Sequence, residues 1–148
     1  MGTILYIFLK FMFYSFLGYI MEVVFTFFRC HKLINRGFLF GPYCSIYGVA
    51  GLALSIFDPK MNILLIFLLS SLLSGLIEGI TGFILDKIFK MRWWDYSKNF
   101  LNINGYICLK FMLLFGLFSL VGVFIINPFY DYLYSWLNNY VIIIMSIC

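Results

Sequence analysis

Asn62-Ile-Leu-Leu-Ile-Phe-Leu-Leu-Ser70-Ser-Leu-Leu-Ser-Gly-Leu-Ile-Glu78-Gly-Ile-Thr-Gly82-Phe-Ile-Leu85 is a run of 24 residues in which Glu78 carries the sole charge. About 20 apolar residues suffice to cross the hydrocarbon core of a bilayer as a helix, so the stretch reads as a membrane span with a carboxylate inside it. A carboxylate at that depth is costly and marks a functional site by default. Ser71, Ser74, Gly75, Thr81 and Gly82 recur around Glu78 at spacings of three, four and seven, which lie on one helical face.

The same pattern occurs 56 residues earlier. Ser15, Glu22 and Arg36 return as Ser71, Glu78 and Arg92, with Gly18 matched by Ser74 and Thr26 by Gly82. The repetition points to a duplicated helical hairpin built around a polar site. Small residues let helices approach closely in lipid, so the stripes Ser15-Gly18-Glu22-Thr26 and Ser71-Gly75-Glu78-Gly82 are expected to meet inside a bundle.

Composition agrees: 64% hydrophobic and 22% aromatic residues, 11% charged residues and a mean hydropathy of +1.03 describe an integral membrane protein. In 148 residues there is room for four or five spans and for no soluble catalytic or nucleotide-binding domain. The expected fold is all-α, a single membrane domain over 1–148: repeat one at about 8–57, repeat two at about 64–126, and a C-terminal helix at about 130–148. The spans themselves are read at Ile4–Phe28, Tyr43–Phe57, Asn62–Leu85 and Tyr106–Ile126, with Asp58-Pro59-Lys60 a turn and Asn127-Pro128 a break, since proline cannot continue a helix. The tail from Tyr130 reads as a fifth span, the alternative being an interfacial helix. A cleavable signal is not expected, because the first span is long and interrupted by Lys10 and Glu22.

The net charge of +4 reads as topology rather than as nucleic-acid binding. Arg29, Lys32 and Arg36 occupy the first long connection and Lys87, Lys90, Arg92 and Lys98 the second, against Lys60 alone on the other side. Basic residues mark the cytoplasmic face. Both long connections are therefore expected inside the cell and the amino terminus outside, with the two hairpins in the same orientation. Lys10, near the outer end of the first span, is expected to snorkel to the interface and receives no role. Cys30, Cys44, Cys108 and Cys148 are scattered without a C-x-x-C pair, and His31 is the single histidine, so free thiols are expected and no metal or other cofactor.

At about 1.5 Å per residue, Glu22 lies roughly 10 Å inside Arg29 and Glu78 roughly 12 Å inside Asp86. Both carboxylates belong to the inner half of the bilayer, and Lys110 enters the fourth span from the same side. The expected polar cluster is Glu22, Glu78, Lys110, Arg36 and Arg92, open to the cytoplasm, with Asp95 placed to orient Arg92. The connections that carry the arginines, Asn35-Arg36-Gly37-Phe38-Leu39-Phe40-Gly41-Pro42 into Tyr47-Gly48, and Arg92-Trp93-Trp94-Asp95-Tyr96-Ser97 into Asn102 and Gly105, combine glycines, proline and aromatics. Non-helical backbone at membrane depth survives where protein or water satisfies it, so these segments are read as a lining for the cluster, shaped by Asn35, Gly37, Gly41, Pro42, Tyr47, Gly48, Trp94, Tyr96, Asn102 and Gly105.

At these residues the chain resembles the small bacterial membrane proteins of the type IV, CmpB-like group of ABC-transporter permeases. The likeness is carried by Glu22, by Asn35-Arg36-Gly37-Phe38-Leu39 through Gly41-Pro42 to Ile46-Tyr47-Gly48, by Glu78, by Trp94-Asp95-Tyr96-Ser97, and by Asn102, Gly105 and Ile107-Cys108-Leu109. It spans roughly residues 8 to 130. Ser45 stands where the family often has a second proline, and the fourth span lacks a tryptophan near Phe115-Gly116. The resemblance implies a transport component of a bacterial inner membrane and not an enzyme. Because the sequence holds no Walker A motif, ATP drive would require a separate ATPase subunit, and a chain this small would need a second copy, as a homodimer, to enclose a pathway. The rival readings are a membrane-embedded enzyme on a lipid or lipid-linked substrate, with a glutamate as base and the arginines gripping phosphate, and a non-catalytic accessory subunit.

Overall fold

The computed structural model describes residues 2–30 and 41–147, with side chains over 2–28 and 41–138. The turn at Asp58-Pro59-Lys60 forms as its sequence suggests: the Asp58 carboxylate accepts from Lys60 N at 2.9 Å and its carbonyl from Met61 N at 2.9 Å. Asn62 then caps the next helix, its Oδ1 accepting from Leu64 N at 2.8 Å and Leu65 N at 3.4 Å, two of the N–H groups that a helix start leaves free.

Helix α1 covers Thr3–Cys30, α2 Ser45–Leu54 and α3 Ile63–Lys87. A two-residue antiparallel hairpin follows, β1 Asn102–Ile103 and β2 Ile107–Cys108, with Asn102 opposite Cys108. Next come α4 (Leu109–Val121), a π-helical turn (Gly122–Ile126) and α5 (Asn127–Ile147). Among the described residues, three helical stretches are long and apolar enough to cross a membrane: Thr3–Phe28, Ile63–Lys87 and Leu109–Asn138. Helix α3 shows the inside-out pattern of a lipid-facing helix, since Leu64, Leu68, Leu72, Leu76, Ile80 and Phe83 are exposed while Ser70, Ser71, Gly75, Glu78 and Gly82 are buried.

Of the four or five spans expected from the apolar runs, three are found among the described residues. Helix α2 is ten residues long, about 15 Å, which is half the hydrocarbon thickness. The expected break at Asn127-Pro128 is absent, and Leu109–Asn138 forms one apolar helix. Pro128 has no N–H and would strike the carbonyl four residues earlier in a regular ladder, and the widened π turn immediately before it absorbs that mismatch. Tyr14 braces the turn, its hydroxyl donating to Asn127 Oδ1 at 2.8 Å and to the Gly122 carbonyl at 3.4 Å, while Asn127 Nδ2 donates to the Leu54 carbonyl at 3.3 Å. Tyr14→Phe leaves the buried Asn127 acceptor without its donor, and the expected loss is about 1–3 kcal/mol, read by thermal unfolding in detergent.

Contacts divide the chain into two compact units, residues 1–55 with 122–148, and residues 56–121. In the first, α1 packs on α2. Glycines permit the approach, because the Tyr47 ring covers Gly18 and the Tyr14 ring covers Gly51 so closely that an added Cβ would lie 2.2 Å and 2.0 Å from ring carbons. In the second, α3 packs on α4, with Met112 over Gly75. One trio recurs. A Cβ on Gly48 would lie 2.3 Å from Ser15 Oγ and 2.6 Å from Phe11, and one on Gly116 would lie 1.9 Å from Ser71 Oγ and 3.1 Å from Phe67. Each small-residue stripe is thus occupied within its own unit by the helix that follows it.

Candidate functional site

Glu78 is drawn inward by the small-residue face of α3 and is 5% exposed. Its Oε1 accepts from the Tyr96 hydroxyl at 2.8 Å, and its Oε2 is buried with no partner among the described residues. The Tyr96 ring stacks on Phe111, centroids 4.6 Å apart and planes 17° apart, which fixes the direction of the hydroxyl. An unpaired buried carboxylate oxygen is costly and leaves a place for a proton or a cation.

The connection between α3 and β2 delivers Tyr96. Tyr96 N donates to the Gly105 carbonyl at 2.9 Å, and Trp94 Nε1 donates to the Tyr106 carbonyl at 2.9 Å. Asn102 organises the bend, its Nδ2 donating to the carbonyls of Ser97 at 3.1 Å and Asn99 at 2.9 Å while its Oδ1 accepts from Gly105 N at 3.2 Å. The folded connection lies on α3, with Ile107 over Gly79 and Trp94 and Tyr106 over Gly82. Tyr106 reaches back to donate to Asp86 Oδ2, a bond that raises its own hydroxyl above the ordinary range.

Arg92 is engaged inside this connection. Its Nη2 donates to the Asn104 carbonyl at 2.7 Å and lies 3.3 Å from Asp95 Oδ1, and the guanidinium sits 5.2 Å from the Tyr106 ring centroid. Asp95 also accepts from Ser97 N at 2.9 Å, and that backbone bond is the first cause of a carboxyl held below its ordinary value, with the charges of Arg92 and Lys98 contributing less. Lys110 is exposed, its Nζ 5.9 Å from the Phe111 centroid. Among the described residues, neither cation forms an ion pair with Glu78.

Glu22 belongs to the other unit, where it is half-buried. Tyr47, one turn into α2, donates to its Oε1 at 2.7 Å. The start of α2 is docked by Cys44 N, which donates to the Ser15 carbonyl at 3.0 Å, and the approach turns at Gly41, whose φ of +109° suits glycine, next to Pro42. Gly48 packs against Ser15, as described for the fold. Asn35, Arg36 and Gly37 lie outside the described residues.

Two features carry no signal in the sequence. Tyr47 and Tyr96 sit among the loop-shaping residues, yet each supplies a hydroxyl to a glutamate. Their offsets from Glu22 and Glu78 are 25 and 18 residues, so the 56-residue step does not map one onto the other. Lys10, expected at the interface, is 2% exposed. Its partners, Tyr6, Tyr130 and Asp131, come partly from the far end of the chain, where local spacing carries no signal for them.

A family model described as "Putative ABC-transporter type IV" matches residues 9–148. The chain belongs to this family. The matched segment includes Glu22, Glu78, both connections and the Lys10 and Asp131 positions. No curated protein and no solved structure matches. Membership in the type IV ABC-transporter family and three apolar helices of spanning length describe a multi-pass, transporter-related membrane protein.

Proposed function

We propose that this type IV family member is the membrane-embedded component of a transporter, and that Glu22 and Glu78 are its coupling groups. The observation that carries the reading is the Glu78 carboxylate, buried inside a spanning helix with Oε1 held by Tyr96 and Oε2 unpartnered among the described residues. Such an oxygen is most stable when it binds a proton or a cation, and exchanging that occupant is the elementary act of coupled transport. The match between the trios Phe11-Ser15-Gly48 and Phe67-Ser71-Gly116 supports a duplicated hairpin with the glutamates at equivalent places. The two copies are not equal, because Glu22 is half-exposed and Glu78 is enclosed.

In this reading the connections face the cytoplasm of a bacterial cell, as their lysines and arginines favour. Arg92 acts indirectly, by closing the connection that presents Tyr96, and Arg36 and Lys110 supply positive charge near the inner face. Energy from ATP enters through a separate ATPase subunit, and a homodimer encloses the path.

The test is electrical, on proteoliposomes containing the full chain, adsorbed to a solid-supported membrane and challenged with pH steps and a panel of small organic cations. Glu78→Gln is expected to reduce the transient current at least about tenfold, the loss of one charged hydrogen-bonding group, and Glu22→Gln to shift its pH dependence. Currents unchanged in both variants would overturn the assignment.

A further inference from the structure

At the end of α1 remote from Glu22, an ammonium is enclosed where lysine normally snorkels outward. Lys10 Nζ lies 3.6 Å from Asp131 Oδ1, donates to the Tyr6 hydroxyl at 3.1 Å, and sits 5.3 Å from the centroids of both the Tyr6 and Tyr130 rings. Tyr6 donates in turn to Asp131 Oδ1, and Tyr130 donates to the Tyr6 carbonyl at 3.0 Å. Aromatic rings bridge α1 and α5, Tyr6 to Tyr134 at 4.8 Å and Tyr6 to Tyr130 at 5.5 Å. Beside this cluster the two helices leave a groove of about 450 Å³ lined by apolar side chains, among them Leu9, Phe13, Phe16 and Leu133, and it shares Tyr130 and Tyr134 with the charged cluster.

Three observations identify what the groove accepts. Its walls are apolar and, Tyr43 apart, belong to membrane-spanning helices, so the occupant comes from the bilayer and is hydrocarbon where it lies in the groove. The ion pair beside it is neutral, and Asp131 turns outward: its side chain is 55% exposed and Oδ1 takes both Lys10 and Tyr6, leaving Oδ2 without a partner among the described residues. That oxygen recruits a cationic donor, not a phosphate. Finally, the Tyr134 ring lines the groove, while its hydroxyl is buried without a partner among the described residues and so adds no polar group to the apolar wall. We propose that this site binds an aminophospholipid, one acyl chain lying in the groove and the primary ammonium of the headgroup donating to Asp131 Oδ2. A trimethylated headgroup has no N–H to donate and an anionic one meets a carboxylate, so both are disfavoured. This site is independent of the glutamate reading and stands or falls separately.

The purified full chain, incubated with vesicles of phosphatidylethanolamine, phosphatidylcholine or phosphatidylglycerol bearing identical acyl chains, reports the bound lipid by native mass spectrometry. Phosphatidylethanolamine is expected to be retained about tenfold over either competitor, the discrimination of one charge-assisted hydrogen bond. Asp131→Asn should bring the three lipids to parity with retention maintained, Asp131→Glu should preserve the preference, and Leu133→Trp, which fills the groove, should reduce retention of all three. Equal retention of the three lipids by the unaltered protein would overturn the proposal, as would a preference that survives Asp131→Asn. The comparison on the unaltered protein decides the matter even where a substitution prevents folding.

Discussion

Gly116→Ala is expected to destabilise the protein by about 2–3 kcal/mol, the upper part of the range for overpacking a close-packed interface, and the loss should be recovered largely by adding Ser71→Ala. The added methyl would sit 1.9 Å from Ser71 Oγ, with Phe67 and Ser71 Cβ next at 3.1 Å. Ser71 cannot easily swing aside, because its hydroxyl donates to the Phe67 carbonyl at 2.7 Å and the residue is enclosed. Helices α3 and α4 must therefore separate, which opens gaps along the Gly75–Met112 contact as well. Removing Oγ takes away the worst clash and leaves tight but tolerable neighbours. For a chain of this size the single change corresponds to a fall of roughly 5–10 °C in thermal midpoint. A double-mutant cycle on thermal unfolding in detergent measures the coupling directly. Gly2→Ala is the control, since nothing lies within 4 Å of a Cβ there. Gly48→Ala with Ser15→Ala should reproduce the behaviour in the first unit, where the corresponding distance is 2.3 Å. Additive, uncoupled effects in both cycles would mean that the shared trio does not set helix approach, and the case for a duplicated hairpin would lose its packing argument.

That packing was legible in the residues because membrane helices leave a simple record. The run from Asn62 to Leu85 gave α3 almost to its ends, Ile63–Lys87, since a capping asparagine, a preceding Pro59 turn and unbroken apolarity all agree. The stripe of small residues on α3 marked its buried face for the same reason. Where the reading went astray, a local rule met a distant partner. Proline at 128 predicts a break, but the π turn and the Tyr14 brace, 113 residues from Asn127 in sequence, let the helix pass. Lysine at position 10 predicts snorkelling, but Asp131 and Tyr130 enclose it. The spacing places Arg92 in the polar cluster, yet its acceptors among the described residues, Asn104 and Asp95, lie within its own connection. The apolar run from Tyr43 to Phe57 gave a span because hydropathy records what can enter lipid, and it does not record that Ser55 already terminates α2 after ten residues.

Gly105→Val is expected to disconnect Tyr96 from Glu78 while leaving the spans intact, and so to remove activity more completely than it removes stability. Gly105 has a φ of +71°, and a Cβ there would lie 2.3 Å from the Arg92 guanidinium, 2.5 Å from Asp95 Oδ1 and 3.3 Å from Ser97 N. A β-branched residue adds about 1–2 kcal/mol of left-handed backbone strain to a collision with the one ion pair that closes the connection. Relief comes by opening the Arg92–Asp95 contact, and with it the bond from Tyr96 N to the Gly105 carbonyl that aims the Tyr96 hydroxyl. Far-ultraviolet circular dichroism should remain helical, trypsin should cut at Arg92 and Lys98 much faster than in the unaltered protein, and the pH-step current should fall as far as in Glu78→Gln. Acid should mimic the lesion, with pepsin, which is active in acid, replacing trypsin as the probe. Asp95 has a lowered folded-state pKa, so its contribution is fully present above the ordinary carboxyl range and is lost as pH falls through that lowered value; Asp95→Asn should be cut readily at every pH. Tryptic protection that is unchanged in Gly105→Val, with current abolished, would place the effect elsewhere than in the connection. Protection lost with the current intact would show that Tyr96 is dispensable to Glu78, and the coupling role would then rest on the carboxylate alone.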